Sequence, residues 1–273
     1  FYHAFAGKSH DPGIDLAERL VNMAPVPMSK VFFANSGSEA NDTVVKMVWY
    51  MNNALGRPTK KKIVSRLKGY HGITVASGSL TGLPNNHRSF DLPIQGILHT
   101  TTPHYYRGAK DGETEEQFAT RCAEELEQLI IKEGGADHVA AMICEPVMGA
   151  GGVIVPPKGY YQKIQAVCRK YDMLFVADEV ICGFGRTGNV WGSQTLGIQP
   201  DILTCAKALS AIIRATRDIY EWRQAVLPPE PDSDDEDQAV RRAFETRIDR
   251  IRRAEGLAPV FETSASEGDR SAS

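Results

Sequence analysis

Short apolar runs alternating with longer amphipathic stretches constrain this chain more than any other feature. Ile63-Val64-Ser65, Val139 to Cys144, Met173 to Ala177 and Ile202 to Ala206 read as strands, as does Val31-Phe32-Phe33-Ala34. Between them, apolar residues recur at helical spacing. Ser38 to about Leu55 reads as a helix, as does Tyr160 to Tyr171. Thr114-Glu115-Glu116-Gln117 spells a capping box that opens a helix ending near Gly134-Gly135. An earlier helix has Asp11 as N-cap and Pro12 in its first turn, with Leu16, Leu20 and Met23 on one stripe. Gly69 to Gly72, Gly78 to Pro84 and Gly149 to Gly152 read as turns and loops. Buried strands alternating with helices predict an α/β domain, with a mainly parallel sheet and helices on both faces. In such sheets ligands gather at the C-terminal ends of the strands.

Three such ends carry chemistry. Met173 to Ala177 delivers Asp178 to the mouth of a buried strand, where an unpaired carboxylate is costly. Asp178 either caps or pairs within the protein, or meets a ligand cation. Glu179 points to the other face of an extended chain and need not share that role. Lys207 follows the run Ile202 to Ala206. It either snorkels to water or is an amine held in an apolar pocket, able to form a Schiff base. Asn35-Ser36-Gly37-Ser38-Glu39-Ala40 joins a strand to a helix, so the amides of Gly37 and Ser38 form a phosphate site at the helix start. The alternative there is a helix capped by Ser38 with no ligand. Tyr70-His71-Gly72 places an aromatic ring in a turn, for packing or for stacking. A carboxylate, an amine, a phosphate cradle and an aromatic plate together suit pyridoxal 5'-phosphate.

Five segments in order carry a family resemblance: Phe32 to Asp42 (FFANSGSEAND), Gly69 to Gly72 (GYHG), Ile143 to Val147 (ICEPV), Leu174 to Gly188 (LFVADEVICGFGRTG) and Asp201 to Ser210 (DILTCAKALS). On these the chain resembles the class III pyridoxal-phosphate aminotransferases, of the aspartate-aminotransferase-like fold (fold type I), over about residues 1–210. The resemblance implies that Lys207 is the Schiff-base lysine that later shuttles a proton, and that Asp178 partners the pyridine nitrogen. It implies Gly37 and Ser38 at the phosphate, Tyr70 over the ring and Val180 on its other face. Glu145 matches a glutamate near the substrate pocket, usually paired with an arginine from the C-terminal part. Trp49 to Gly56 and His99 to Pro103 look most like ω-transaminases that use pyruvate as acceptor. The implied activity is ping-pong transfer of an amino group from an amine or ω-amino acid to a keto acid such as pyruvate, by a homodimer with sites at the interface. No metal is implied. Gly183-Phe184-Gly185-Arg186-Thr187-Gly188 also spells a dinucleotide fingerprint. However, Asn189-Val190-Trp191-Gly192 opens a helix poorly and no acid stands at the required distance.

Composition divides the chain. Residues 1–207 hold 13 Lys and 8 Arg against 20 acidic residues, and 22 of the 24 Gly. Residues 208–273 hold no Lys, and 10 Arg against 14 acidic residues. The family resemblance ends where this break falls. We therefore expect a partial cofactor-binding large domain over 1–210 and an atypical tail over 211–273, with a linker at 228–238 and a charged helix at 239–255. The family's substrate-carboxylate arginine and partner-subunit phosphate ligand would lie beyond Ser210, and no tail residue matches either. Family chains extend further at both ends, and the first residue is Phe1, so the chain reads as processed or a fragment. The alternative to an active transaminase is an impaired, truncated domain that only binds cofactor or a protein partner. Aminomutase or racemase chemistry is a third reading. A net charge of −3 argues against nucleic-acid binding through bulk positive charge. No apolar run approaches the roughly 20 residues of a membrane span. Five cysteines with no C-x-x-C pair argue against a disulfide framework or a zinc site, and fit buried thiols in a reducing cytoplasm.

Overall fold

The structure, a computed structural model, describes residues 9–207. The tail over 211–273, with its linker and helix, lies outside the described residues. Five strands form one sheet: β1 (Lys62–Arg66), β2 (Ile97–Thr100), β3 (Val139–Cys144), β4 (Leu174–Asp178) and β5 (Ile202–Thr204). Their order is β2-β1-β3-β4-β5 and every pairing is parallel. The helices are α1 (Asp11–Met23), α2 (Gly37–Ala54), α3 (Val75–Leu80), α4 (Tyr105–Gly108), α5 (Glu115–Lys132), α6 (Tyr160–Lys170) and α7 (Gly192–Leu196).

Strand parity divides the core between two faces. Phe118, Cys122, Leu126 and Ile130 of α5 and Tyr160, Tyr161 and Ile164 of α6 pack with Val64, Met142, Cys144, Phe175 and Ala177 on one face. Val44, Val45 and Val48 of α2 and Leu80 of α3 pack with Ile63, Ala141, Ile143 and Val176 on the other. The α/β architecture with helices on both faces is thus the one the alternation predicts. Among the described residues no helix is long and apolar enough to cross a membrane.

Several local expectations change. Val31 to Ala34 is not a strand: Phe32 and Phe33 are exposed, and no described strand pairs with the segment. The N-cap of α1 is His10, whose Nδ1 accepts from the Gly13 amide at 3.0 Å, so Asp11 is the first helical residue. Ser36 rather than Ser38 caps α2, its Oγ accepting from the Glu39 amide. The stretch from Gly78 begins inside a helix, since α3 runs to Leu80. Strand β2 goes unread in the sequence because Ile97-Leu98-His99-Thr100 carries only two apolar residues. Strand β5 stops at Thr204, two residues before the expected end. A five-residue helix does start at Gly192, but the glycines at 183–188 form turns that lead from no strand directly into it.

Candidate active site

The strand order reverses between β1 and β3, so the crevice rule places a ligand beyond their C-terminal ends. There the turn after β1 meets the end of β3. The Glu145 carboxylate accepts from the Tyr70 amide through Oε1 and from the Gly149 amide through Oε2, both at 2.9 Å. Its carbonyl accepts from Arg66 Nη2 at 2.6 Å and from the Tyr161 hydroxyl. Arg66 lies on the α5/α6 side with Val64, fully buried under Tyr160 and Tyr161. Both Glu145 carboxylate oxygens are therefore engaged with backbone, and no arginine pairs with them among the described residues.

Asp178 ends β4 with the parity of Val176, which puts it on the α2/α3 face. It is 3% exposed, and its Oδ2 lies 2.9 Å from Asn41 Nδ2 and 2.7 Å from His71 Nδ1. Its Oδ1 accepts from the Val180 amide at 3.1 Å. Neither Lys nor Arg pairs with it among the described residues. Glu179, of opposite parity, serves elsewhere: it accepts from the Gly192 and Ser193 amides and the Ser193 hydroxyl, capping α7. Burial raises its pKa, and those donors pull it back.

The α2 start closes on the same place. The Gly37 and Ser38 amides, first in the helix, donate to nothing among the described residues, while the helix dipole stands behind them. A Cβ on Gly37 would stand 3.0 Å from Val180 Cγ2, so the glycine turn and the apolar residue after Asp178 touch. Ser38 Oγ accepts from the Ile73 amide at 3.2 Å, tying the helix start to the Tyr70-His71-Gly72 turn. At Gly72 (φ +140°) a Cβ would fall on Ser77 Oγ and within 2.6 Å of Ser38 Oγ.

Lys207 lies three residues past β5, whose Thr204 pairs with Asp178 in register. Its φ is +41°, in the left-handed region uncommon for a non-glycine residue. It is exposed, not held in an apolar pocket, in contrast to that reading of the sequence. The segments after β1, β3, β4 and β5 thus carry Tyr70, Glu145, Asp178, Val180 and Lys207 at the C-terminal edge of the sheet, and the α2 start brings Gly37 against Val180 and Ser38 against the turn after β1. Two further residues at the carboxylate, Asn41 and His71, escape the sequence reading. Asn41 left a signal: it sits on the inward stripe of α2 with Val44, Val45, Val48 and Asn52, a polar residue where the period demands an apolar one.

The sequence profile of the family described as Aminotransferase class-III matches residues 1–216. The chain belongs to this family. Among curated proteins, gamma aminobutyrate transaminase 1, mitochondrial, of Solanum lycopersicum is 59% identical over 212 residues, 77% of this chain and 41% of that protein. Vanillin aminotransferase of Capsicum chinense is 57% identical over the same share of this chain and 46% of its own length. Among solved structures, the omega transaminase from Pseudomonas jessenii in complex with PMP is 63% identical. It superposes with a TM-score of 0.77 over 83% of this chain and 52% of its own. A transaminase with L-ala is 70% identical, with a TM-score of 0.72 over 73% of this chain and 46% of its own. This class III chain therefore spans about half, or less, of the length of the relatives it matches.

The residues present fit a phosphorylated, ring-cationic cofactor. Two first-turn amides are free for an anion. The buried Asp178 carboxylate has no Lys or Arg partner among the described residues. Asn41 Oδ1 and Thr204 Oγ1 beside it are buried without partners among the described residues.

Proposed function

We propose that the chain carries the cofactor-binding part of a pyridoxal-phosphate-dependent transaminase, which moves an amino group from an amine or ω-amino acid to a keto acid such as pyruvate. The observation that carries this reading is the buried Asp178 carboxylate, held by Asn41 and the Val180 amide with no Lys or Arg partner among the described residues, and paired in register with the strand that Lys207 follows. When bound, the cofactor supplies an electron sink for the charge left on the substrate carbon as its proton departs.

The protein's residues do the rest. The Gly37 and Ser38 amides bind phosphate with the α2 dipole behind them. Asp178 holds a proton on the ring nitrogen by placing a fixed negative charge beside it. Val180 and Tyr70 confine the ring between an apolar and an aromatic face. Lys207 presents a primary amine to the cofactor's aldehyde, and its Nζ takes and returns the proton at the substrate carbon. Glu145 fixes the Tyr70 turn against the Gly149 loop, at the substrate side of the crevice. Relatives named for γ-aminobutyrate support an ω-amino acid as donor. Exposed Phe32, Phe33, Ile73 and Val75 around the site support a homodimer. Five free thiols support a reducing compartment, the cytoplasm in our proposal.

The test is borohydride reduction of the cofactor-loaded full chain, followed by peptide mapping. A pyridoxyl group on Lys207 is the expected result. A label elsewhere, or none after saturation with cofactor, overturns the assignment.

A further inference from the structure

Arg66 ends β1 with its guanidinium wholly buried on the α5/α6 face. Tyr160 and Tyr161 cover it, each ring centroid 6.0 Å from its central carbon. Nη1 donates to the Tyr161 hydroxyl at 3.0 Å and Nη2 to the Glu145 carbonyl at 2.6 Å. Among the described residues Nε has no acceptor, and no Asp or Glu carboxylate bonds to the group. Burying such a charge costs stability that neutral acceptors offset only in part. An apolar side chain of similar volume is often neutral or stabilising in its place. Arg66 is therefore poorly suited to holding the fold together, and what it supplies is placement.

Its two bonds fall on one stretch of backbone. The Tyr161 hydroxyl that accepts from Nη1 donates in turn to the Glu145 and Pro146 carbonyls. Two successive carbonyls after β3 are thus held by one tyrosine and one guanidinium. The Glu145 carboxylate carries the restraint onward, since its Oε1 accepts from the Tyr70 amide and its Oε2 from the Gly149 amide, each at 2.9 Å. The backbone of Arg66 acts on the same turn. Its carbonyl accepts from the Gly69 amide at 2.9 Å, closing the turn just before Tyr70 around Lys68, whose φ is +65°. A Cβ on Gly82 would fall 2.2 Å from that carbonyl, so neighbouring backbone hems it in. One residue thus restrains Tyr70 twice, by its side chain through Glu145 and by its carbonyl through Gly69. A planar guanidinium suits this task, because its donors are fixed in one plane and lose little freedom on bonding.

We propose that Arg66 is a positioning residue: clamped by Tyr161, it fixes the backbone at Glu145 and Pro146, and Glu145 in turn holds Tyr70 where its ring covers the cofactor. This rests on the reading of Tyr70 as the residue over the ring. Arg66 itself, buried beneath Tyr160 and Tyr161, touches neither cofactor nor substrate.

The test compares the full chain with Arg66→Met, Tyr161→Phe and Tyr70→Leu, and with the first two each combined with Tyr70→Leu. Equilibrium dialysis gives the dissociation constant of pyridoxal 5'-phosphate. The free cofactor is achiral, so its visible circular dichroism when bound reports the groups packed on its ring. Melting of each apoprotein controls for folding. Arg66→Met should fold and bind the cofactor about tenfold more weakly, the scale of one lost charge-assisted hydrogen bond, with a weaker dichroic band. In the Tyr70→Leu background the same substitution should change binding by no more than about threefold, because the group it acts through is already gone. Tyr161→Phe should follow Arg66→Met in both backgrounds, and it decides if Arg66→Met does not fold. Equal losses in both backgrounds overturn the positioning role, since Arg66 would then act without Tyr70. Parent-like binding and dichroism in Arg66→Met and Tyr161→Phe, beside a weakened Tyr70→Leu, overturn it too. A parent-like Tyr70→Leu would instead bring down the reading of Tyr70 on which the inference rests.

Discussion

Gly72 is a position where one added carbon would break the site. Its φ of +140° is open to glycine, and a Cβ would meet two hydroxyls, Ser77 Oγ and Ser38 Oγ. Ser38 stands in the first turn of α2 and Ser77 in α3, so the turn after β1 is held between two helices. Gly72→Ala should lower stability by about 1–3 kcal/mol, read from urea unfolding of the apoprotein. It should also weaken cofactor binding, because Ser38 must yield. At this scale the sequence was informative about chemistry and silent about partnership. Asp178, Gly37 and Ser38 are legible because a charged or glycine residue closes or opens an element. Nothing in the order of residues says that Glu145 spends both oxygens on the amides of Tyr70 and Gly149.

Among the elements, α5 is the most legible in the sequence. Its capping box forms as written: Thr114 Oγ1 accepts from the Gln117 amide and the Gln117 side chain accepts from the Thr114 amide. Thr114→Ala should cost about 1 kcal/mol, measurable as a lower midpoint in urea. The first half of α5 is pinned to the preceding turn by Arg121, which pairs with Glu113 through both oxygens and reaches the Gly108 carbonyl. Hydrogen bonds from Arg121 and the Lys110 amide lower the Glu113 carboxyl to about 2. A depressed carboxyl stabilises the fold above its unfolded pKa, and the gain is lost as pH falls towards the folded value. The Tm advantage of the parent over Glu113→Gln should therefore hold at neutral pH and shrink between about pH 4.5 and 2. Thermal melts across that range check it, and a constant difference would contradict it. Short elements are the least legible. Val31 to Ala34 has strand composition but no strand beside it, and β2 lacks the composition yet pairs with β1 from Ile63↔Ile97 to Arg66↔Thr100. Strand formation answers to a partner, and a partner is not a local property.

Across the whole molecule, two-sided burial sets the behaviour of the thiols. All five cysteines are free; four are buried and Cys205 is half-buried. Burial pushes Cys122 up to about 12 and Cys144, Cys182 and Cys205 up to about 11, and raises Cys168 too. Native protein at pH 8 should react slowly with a disulfide reagent, whereas denatured protein should release all five thiols at once. Rapid reaction of several native thiols would contradict the packing of the α5/α6 face. By itself the sequence determined the class of fold, the parallel strands, the helix that starts near Gly37 and Ser38 and the order of the family's motifs. Each is written in local period and local chemistry. The tertiary structure decided which groups meet. Asp178 finds Asn41 and His71 across 137 and 107 residues of chain, and Glu145 finds Tyr70 across 75. Strand parity sends Asp178 to the α2 face and Glu179 to α7 only once the sheet is assembled. A contact between distant residues is fixed by the register and stacking of whole elements, which local sequence does not encode.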